Sequence, residues 1–128
     1  MADQLKEIRI PFPNPIQDRF QVFSGPEDPN AGGGRHTYYV FERSDPANYL
    51  AKIQFQHGAL NEPDSNVNGI LSTCLLAILV DHFKSFQAGA YPSRETALMI
   101  THLEEVQNWA ARRADDRASR DVHGKHEK

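Results

Sequence analysis

Three arginines near the C-terminal end of the chain have the spacing of one helix face. Arg113, Arg117 and Arg120 follow one another at intervals of four and three residues. The same intervals run back through four apolar positions, Ala110, Val106, Leu103 and Met99. Guanidinium groups bind phosphate oxygens in pairs. The spacing therefore predicts a helix on which an apolar stripe continues as a stripe of candidate phosphate-binding residues.

Acidic neighbours allow a second interpretation of these arginines. Asp115, Asp116 and Asp121 lie among them, so the stripe also fits a solvent-exposed helix face crossed by surface ion pairs. By periodicity alone, that interpretation is favoured. Phe86 and Tyr91 favour a binding site instead, because an aromatic ring that stacks on a base complements arginines that hold phosphates.

The other reactive side chains do not form a catalytic or metal-binding set. His82 and His102 fall on different predicted helices, and Glu104 and Glu105 are adjacent, so they point about 100° apart on a helix. Such a pair is poorly placed for general acid and base catalysis. Cys74 lies in an apolar run and is expected to be a small core residue. The sequence predicts no catalytic residue, no metal and no cofactor.

The length, net charge and apolar runs of the chain restrict the class of protein to which it can belong. The chain has 128 residues, of which 39% are hydrophobic and 24% charged, with a formal net charge of -3. This size predicts a single domain, 1–128, with a modest core to which partner subunits could add. The acidic balance disfavours nucleic acid as a partner. The longest apolar run, around residues 74–80, is too short to span a bilayer, so a cytoplasmic protein is expected.

Residues 1–58 have the pattern of β-strands. The segments "EIRIPF", "DRFQVF", "HTYYVFE" and "YLAKIQFQ" are rich in β-branched and aromatic residues and are separated by turn-forming residues. Phe20 and Val22, and then Ile53 and Phe55, alternate with polar neighbours. This alternation predicts antiparallel strands with one covered face. The stretch "SGPEDPNAGGGRH" predicts an exposed, mobile loop.

Residues 59–128 have a helical period. Gly89 is expected to end the first helix, and Ser93 to cap the second. The apolar face predicted for the first helix contains Leu71, Leu75, Ile78, Leu79, His82 and Phe86. The face predicted for the second contains Leu98, Met99, Leu103, Val106 and Trp109. The fold class is therefore α+β, an N-terminal antiparallel sheet followed by a C-terminal antiparallel helical hairpin.

The hairpin geometry predicts an oligomer. From Thr96, in the first turn of the second helix, to Arg113 or Arg117 is a span of about 25 to 32 Å, at ~1.5 Å per residue. Phe86 and the arginines thus lie at opposite ends of one hairpin. A symmetric dimer would place the turn of one subunit beside the C-terminal arginines of the other.

Residues 53–128 contain several short motifs that occur in the same order in a known family, which this segment resembles. They are "FQHGAL" followed by "NVNGI", "LLAILVDHFKSFQ", "AYPSRETAL", "LEEVQNWAARRADDR" and the ending "RDVHGKHEK". This segment resembles the hairpin domain of the phage anti-defence sponges that counter Thoeris and CBASS immunity, and is most similar to the anti-Thoeris branch.

The resemblance implies a function and a set of site residues. Members of the family are not enzymes; they sequester cyclic nucleotide signals, in the anti-Thoeris branch glyco-cyclic ADP-ribose isomers, and some bind cyclic di- or trinucleotides. They form homodimers that can join into hexamers. The resemblance implies that Phe86 stacks on an adenine and that Arg113 and Arg117 hold phosphates. The candidate ligand-binding residues are Phe86, Tyr91, Arg94, Thr96, Arg113, Arg117 and Arg120.

The chain departs from the family pattern at two places. Thr96 stands where the family usually has an asparagine, so an amide that can both donate and accept is replaced by a hydroxyl. Gly58 and Ala59 are followed by the longer acidic stretch "NEPDSN". Two alternative functions remain open: a nucleic-acid-binding or assembly module that uses the C-terminal arginines, and an enzyme that cleaves the same signal.

Overall fold

The computed structural model describes residues 5–12, 14–60 and 63–119. Within these ranges the strands are β1 (Lys6–Ile8), β2 (Phe20–Ser24), β3 (Thr37–Glu42) and β4 (Tyr49–Gln54). Two helices follow, α1 (Ser72–Gln87) and α2 (Arg94–Ser119). The predicted α+β class, a sheet followed by a helical hairpin, is confirmed.

The strands form one sheet in the order β1-β2-β3-β4, and every neighbouring pair is antiparallel. Val22 lies opposite Val40, and Tyr38 lies opposite Ile53. Each strand lies next to its neighbour in sequence, so short connections suffice and no crossover is needed. A bulge between Val40 and Phe41 shifts the register at the end of β3.

The most buried apolar side chain of the sheet is Phe41, which is 4% exposed. Its ring packs edge-on against Phe23 at 5.7 Å between centroids and against Tyr49 at 6.4 Å. Phe20, which was expected on the covered face, is exposed. Aromatic residues occupy both alternating registers of these strands, so alternation alone could not select the buried position.

The glycine-containing stretch between β2 and β3 is a closed set of turns. The Asp28 carbonyl accepts hydrogen bonds from the backbone N–H groups of Ala31 and Gly33, at 3.1 and 2.9 Å. Gly32 and Gly33 both have positive φ, 74° and 75°, a region that favours glycine. The two consecutive glycines therefore let the chain reverse within this loop.

The two helices form the predicted hairpin, in which α1 packs against α2. The Ser93 hydroxyl accepts the Thr96 backbone N–H at 3.0 Å, so the predicted N-cap is confirmed. Lys84 of α1 forms an ion pair with Glu104 of α2 at 3.1 Å. This ion pair joins the two helices.

The apolar face of each helix agrees only in part with the prediction. On α1 the predicted Leu75 and Leu79 are half-buried, but so are Leu76 and Phe83, and the buried residue is Val80. Leu71, just before the helix, and Ile78 are exposed. Cys74, expected in the core, is also exposed. On α2 the half-buried stripe contains Thr96, Ile100, Leu103, Gln107, Ala110, Ala114 and Arg117. The predicted positions Leu98, Met99, Val106 and Trp109 are exposed.

The reason for this difference is the width of the apolar surface. Apolar residues of α2 cover more than the narrow arc that one neighbouring helix can bury. The contact with α1 uses one edge of that arc and leaves the other edge at the surface of the chain.

The chain divides into two compact units. One contains Met1–Ala59 and Asn66–Gly69, and the other contains Leu60–Ser65 and Ile70–Lys128. Neither helix in the described ranges combines the length and apolarity needed to cross a membrane.

Candidate functional site

Four of the predicted ligand residues lie around the turn between the helices. Phe86 is in the last turn of α1, and its ring is 53% exposed. Tyr91, in the connection, is 80% exposed. Arg94 is the first residue of α2, and Thr96 follows in the same turn. We call these four residues, Phe86, Tyr91, Arg94 and Thr96, the turn cluster.

Side-chain hydrogen bonds hold the backbone of this turn. The Gln87 amide donates to the Ser93 carbonyl at 2.8 Å and accepts the Ser93 backbone N–H at 3.0 Å. Gln87 therefore links the end of α1 to the residue that caps α2. The Ser93 hydroxyl also donates to the Thr96 hydroxyl at 2.9 Å. The bonds of Gln87 and Ser93 fix the backbone that carries the turn cluster.

A different set of residues lies toward the other end of α2. Arg113 is exposed and makes no hydrogen bond or ion pair with any residue that the structure describes. Arg117 is half-buried and has a partner. Arg120 lies outside the described residues. The two described arginines of the predicted stripe therefore differ in surroundings, although they are one helical turn apart.

Arg112 has a specific contact of its own. Its guanidinium lies over the ring of Trp109, at 5.2 Å from the centroid, and this tryptophan is 67% exposed. A guanidinium held over an exposed ring gains a modest cation–π attraction. The periodicity argument did not single out this pair, although the i, i+3 spacing of an aromatic residue and an arginine could have indicated it.

The structure does not bring the turn cluster and the arginines together within one chain. Arg94 and Arg113 are separated by 19 residues of one continuous helix, which corresponds to about 28 Å along its axis. Within the chain, the candidate site is thus two half-sites: an aromatic and hydroxyl group at the turn, and guanidinium groups near the C-terminal end of α2.

Residues outside the predicted set fix the segment before α1. The Asn68 side chain accepts the His57 backbone N–H at 2.9 Å and donates to the His57 carbonyl at 2.7 Å. The Asn68 backbone N–H donates to the Gln56 side chain at 2.9 Å. Gly69 follows directly. These contacts give a structural reason for an asparagine and a glycine in the "NVNGI" motif.

The metal-ligating side chains of the described ranges, residues 5–12, 14–60 and 63–119, do not form a cluster. In that part of the chain, no group of three or more His, Cys, Asp or Glu side chains could hold a metal ion. His82, which was placed on the apolar face of α1, is exposed and packs edge-on against Phe86 at 5.7 Å. Its ring supports the aromatic half of the site.

Comparisons with known proteins agree with the hairpin geometry. The family described as "Acb2/Tad1, hairpin domain" matches residues 49–115, more than half of the chain. A curated relative, "Thoeris anti-defense 1" of Bacillus phage SBSphiJ7, is 37% identical over 121 residues. That alignment covers 94% of this chain and 78% of the relative.

The same family is indicated by the fold, by the order of the motifs and by the similarity over almost the whole chain. The match begins at β4 and continues through most of α2, so it contains both half-sites as far as Arg113. The similarity to a Thoeris anti-defence protein supports an anti-defence role. The chain belongs to the Acb2/Tad1 hairpin family of phage anti-Thoeris and anti-CBASS sponges.

Proposed function

We propose that this protein is a non-catalytic sponge that binds a cyclic nucleotide immune signal and keeps it from its effector. The preferred ligand is a glyco-cyclic ADP-ribose isomer, and cyclic di- or trinucleotides are further candidates. The protein would act in the cytoplasm of the infected host. The name of the 37% identical relative, an anti-defence protein against Thoeris, supports this proposal.

The main support for the proposed site is the guanidinium group of Arg113. A guanidinium on a purely structural helix face can pair with a neighbouring acid, and Asp115 and Asp116 are close in sequence. Arg113 is nevertheless exposed and has no such partner among the described residues. An available guanidinium can form two parallel hydrogen bonds with a phosphate.

The complete site requires two copies of the chain. In an antiparallel dimer, Phe86 of one subunit would lie near Arg113 and Arg117 of its partner copy, so one ligand would meet a ring and two guanidinium groups. Phe86 stacks on the base, and Tyr91 and Arg94 flank the ligand. Thr96 offers one hydroxyl in place of the amide that is usual in the family, which makes this residue a determinant of ligand preference.

Sequestration follows from mass action. A binder present in excess over its signal lowers the free concentration of that signal without changing it chemically. The proposed site contains a ring, a hydroxyl and guanidinium groups, and none of these residues is placed as an acid–base pair for hydrolysis.

Isothermal titration calorimetry with a glyco-cyclic ADP-ribose isomer tests the site. Arg113→Ala should weaken binding by about 2 to 4 kcal/mol, because a phosphate would lose a bidentate partner. Phe86→Ala should weaken binding by about 1 to 3 kcal/mol through lost stacking. Arg112→Ala is the matched control: it removes the same charge one position away and should cost less than ~1 kcal/mol.

A release experiment separates a sponge from an enzyme. The saturated protein is heated, and the supernatant is analysed by mass spectrometry. A sponge returns the nucleotide intact, whereas a hydrolase returns fragments. Equal affinity of the parent, Arg113→Ala and Arg112→Ala proteins would contradict the proposed site, and cleaved nucleotide would contradict the proposed function.

A further inference from the structure

A groove lies at one end of the sheet, away from the half-sites in sequence. Its volume is about 430 Å³, and its lining includes Glu7, Arg9, Phe12, Asp18, Phe20 and Arg43. The sheet register brings these segments together, because Ile8 lies opposite Val22, and Phe20 lies opposite Glu42. The chain just beyond β1, the start of β2 and the end of β3 therefore meet. We call this feature the edge groove.

The edge groove contains two arginines that have no acidic partner among the described residues. Arg19 pairs with Glu42 at 2.9 Å, and Arg35 pairs with Glu27 at 3.3 Å. By contrast, neither Arg9 nor Arg43 forms an ion pair with a carboxylate in the described part of the chain. Both guanidinium groups therefore keep hydrogen-bond donors for a ligand.

One of these arginines is held in place. The Nε of Arg43 donates to the Asp18 carbonyl at 2.8 Å, and its backbone N–H donates to the Arg19 carbonyl at 2.7 Å. These bonds occupy Nε, so the two terminal nitrogens of Arg43 can still donate hydrogen bonds to a ligand. A guanidinium that is already oriented loses less side-chain entropy when it binds an anion.

Aromatic surface lies in the same groove. Phe12 is 56% exposed, and Phe20 is also exposed at the start of β2. Exposed phenyl rings beside guanidinium groups offer a stacking surface next to anion donors. A volume of 430 Å³ falls in the usual range for small-molecule sites, about 300 to 1,000 Å³.

The acidic residues of the groove restrict the charge of a ligand. Glu7 and Asp18 lie in the lining with Arg9 and Arg43, so the four formal charges sum to zero. Glu7 is engaged by the Gln21 amide at 3.4 Å. A polyphosphate would meet two carboxylates as well as two arginines, whereas a single anionic group can contact the arginines alone.

The match to the hairpin domain does not include this groove. The match begins at residue 49, and the six groove residues lie between 7 and 43. We propose that the edge groove is a second binding site, for a small molecule that carries one phosphate or carboxylate on a planar ring. It is independent of the cyclic nucleotide site proposed for the hairpin.

Nuclear magnetic resonance of the ¹⁵N-labelled full chain tests the proposal. Adenosine 5′-monophosphate and indole-3-acetate are the two probes, one with a phosphate and one with a carboxylate. At least one should shift the backbone amide signals of Arg9, Phe20 and Arg43 in a saturable way. Adenosine or inorganic phosphate alone should bind at least fivefold more weakly. The probe that binds more tightly is the better probe for the variants.

Variants locate the binding. Arg9→Ala and Phe12→Ala should each weaken the better probe at least fivefold, and both residues are exposed, so the fold should tolerate the changes. Arg113→Ala is the control and should leave this binding unchanged. Absent groove shifts at millimolar probe, unchanged affinity in Arg9→Ala, or shifts that Arg113→Ala abolishes would each overturn the proposal. Loss of cyclic nucleotide binding would not, because that tests the hairpin.

Discussion

Gly69 occupies a position where the backbone of another segment comes very close. A Cβ atom at this residue would lie 2.5 Å from the carbonyl carbon of Phe55 and 2.6 Å from the Gln54 carbonyl oxygen. These are backbone atoms, which cannot rotate away as a side chain can. The glycine is therefore required by close packing, in the segment that Asn68 also ties to His57.

Replacing this glycine should destabilise the fold. Gly69→Ala forces the two segments apart, and we expect a loss of about 1 to 3 kcal/mol in the free energy of unfolding. Urea denaturation followed by circular dichroism measures it. Gly89→Ala is the control, because its nearest contact would be an ordinary 3.4 Å from the Phe86 carbonyl oxygen. Equal midpoints for the two variants would contradict the packing argument.

Glu42 gives the fold a dependence on pH. Hydrogen bonds from Arg19 and Ser44 lower the pKa of the Glu42 carboxyl below its ordinary value of about 4.5. A carboxyl with a lowered folded pKa stabilises the fold above its unfolded pKa, and this contribution is lost as the pH falls through the folded pKa.

The Glu42→Gln variant should therefore melt below the parent at pH 7. The difference in Tm should shrink as the pH falls below about 4.5 and through the lowered pKa of Glu42, because the parent carboxyl becomes protonated. Differential scanning calorimetry across this range measures the difference. Asp81→Asn is the control: the structure gives Asp81 no ion pair among the described residues, so its Tm difference should stay small. A Glu42→Gln difference that does not change with pH would contradict the role assigned to Arg19.

At the scale of elements, one side chain holds the turn between α1 and α2. Gln87 makes both hydrogen bonds to Ser93, and both residues are half-buried. Gln87→Ala would leave a half-buried N–H and a half-buried carbonyl with only partial access to water. The expected cost is about 1 to 2 kcal/mol in the free energy of unfolding.

Chemical denaturation of Gln87→Ala checks this value. Ser85→Ala, two residues earlier on an exposed position of α1, is the control and should change stability by less than ~0.5 kcal/mol. Ligand affinity is a second readout, because the turn cluster depends on the same backbone. A Gln87→Ala protein with parental stability and parental affinity would show that the link has no structural role.

The elements themselves were predictable from the sequence. The order of strands and helices was predicted from the alternating segments before residue 58 and from the helical period after residue 69. The start of α2 was predicted from Ser93 as its N-cap. Such signals are local, because they depend on neighbours within one or two turns.

The side of each helix that packs against the other could not be predicted in the same way. Met99 and Val106 were placed toward the first helix, but Ile100 and Gln107 lie there. A wide apolar arc allows two registers that differ by about 100°, and only the contact with α1 selects one. The role of Asn68 was also missed, because its partner His57 is 11 residues away and no local period connects them.

For the whole molecule, the exposed apolar residues predict association. Leu98, Met99, Val106 and Trp109 lie on α2, Ile78 and Phe86 lie on α1, and Leu71 immediately precedes α1. A helix rarely keeps so many large apolar side chains in water. We expect at least a dimer at micromolar concentration, consistent with a site that needs two copies.

Analytical ultracentrifugation measures this association. Trp109→Glu should shift the population toward monomer, because a charge would replace the largest exposed apolar side chain of α2. Ala111→Glu, at an exposed small residue two positions on, should leave the distribution unchanged. A parent protein that is monomeric throughout the micromolar range would contradict both the dimer and the composite ligand site.

The path of the chain between its two units has a consequence for how such proteins can recombine. The chain passes from one unit to the other after Ala59, returns at Asn66, and leaves again after Gly69. Recombination between two genes at residue 59 would separate Asn68 and Gly69 from the segment at the end of β4 that they contact. Recombination at residue 70 would keep these contacting residues in one parent sequence. Working hybrids between relatives should therefore join after Gly69, where a new helical hairpin can be acquired without disturbing the sheet that precedes it.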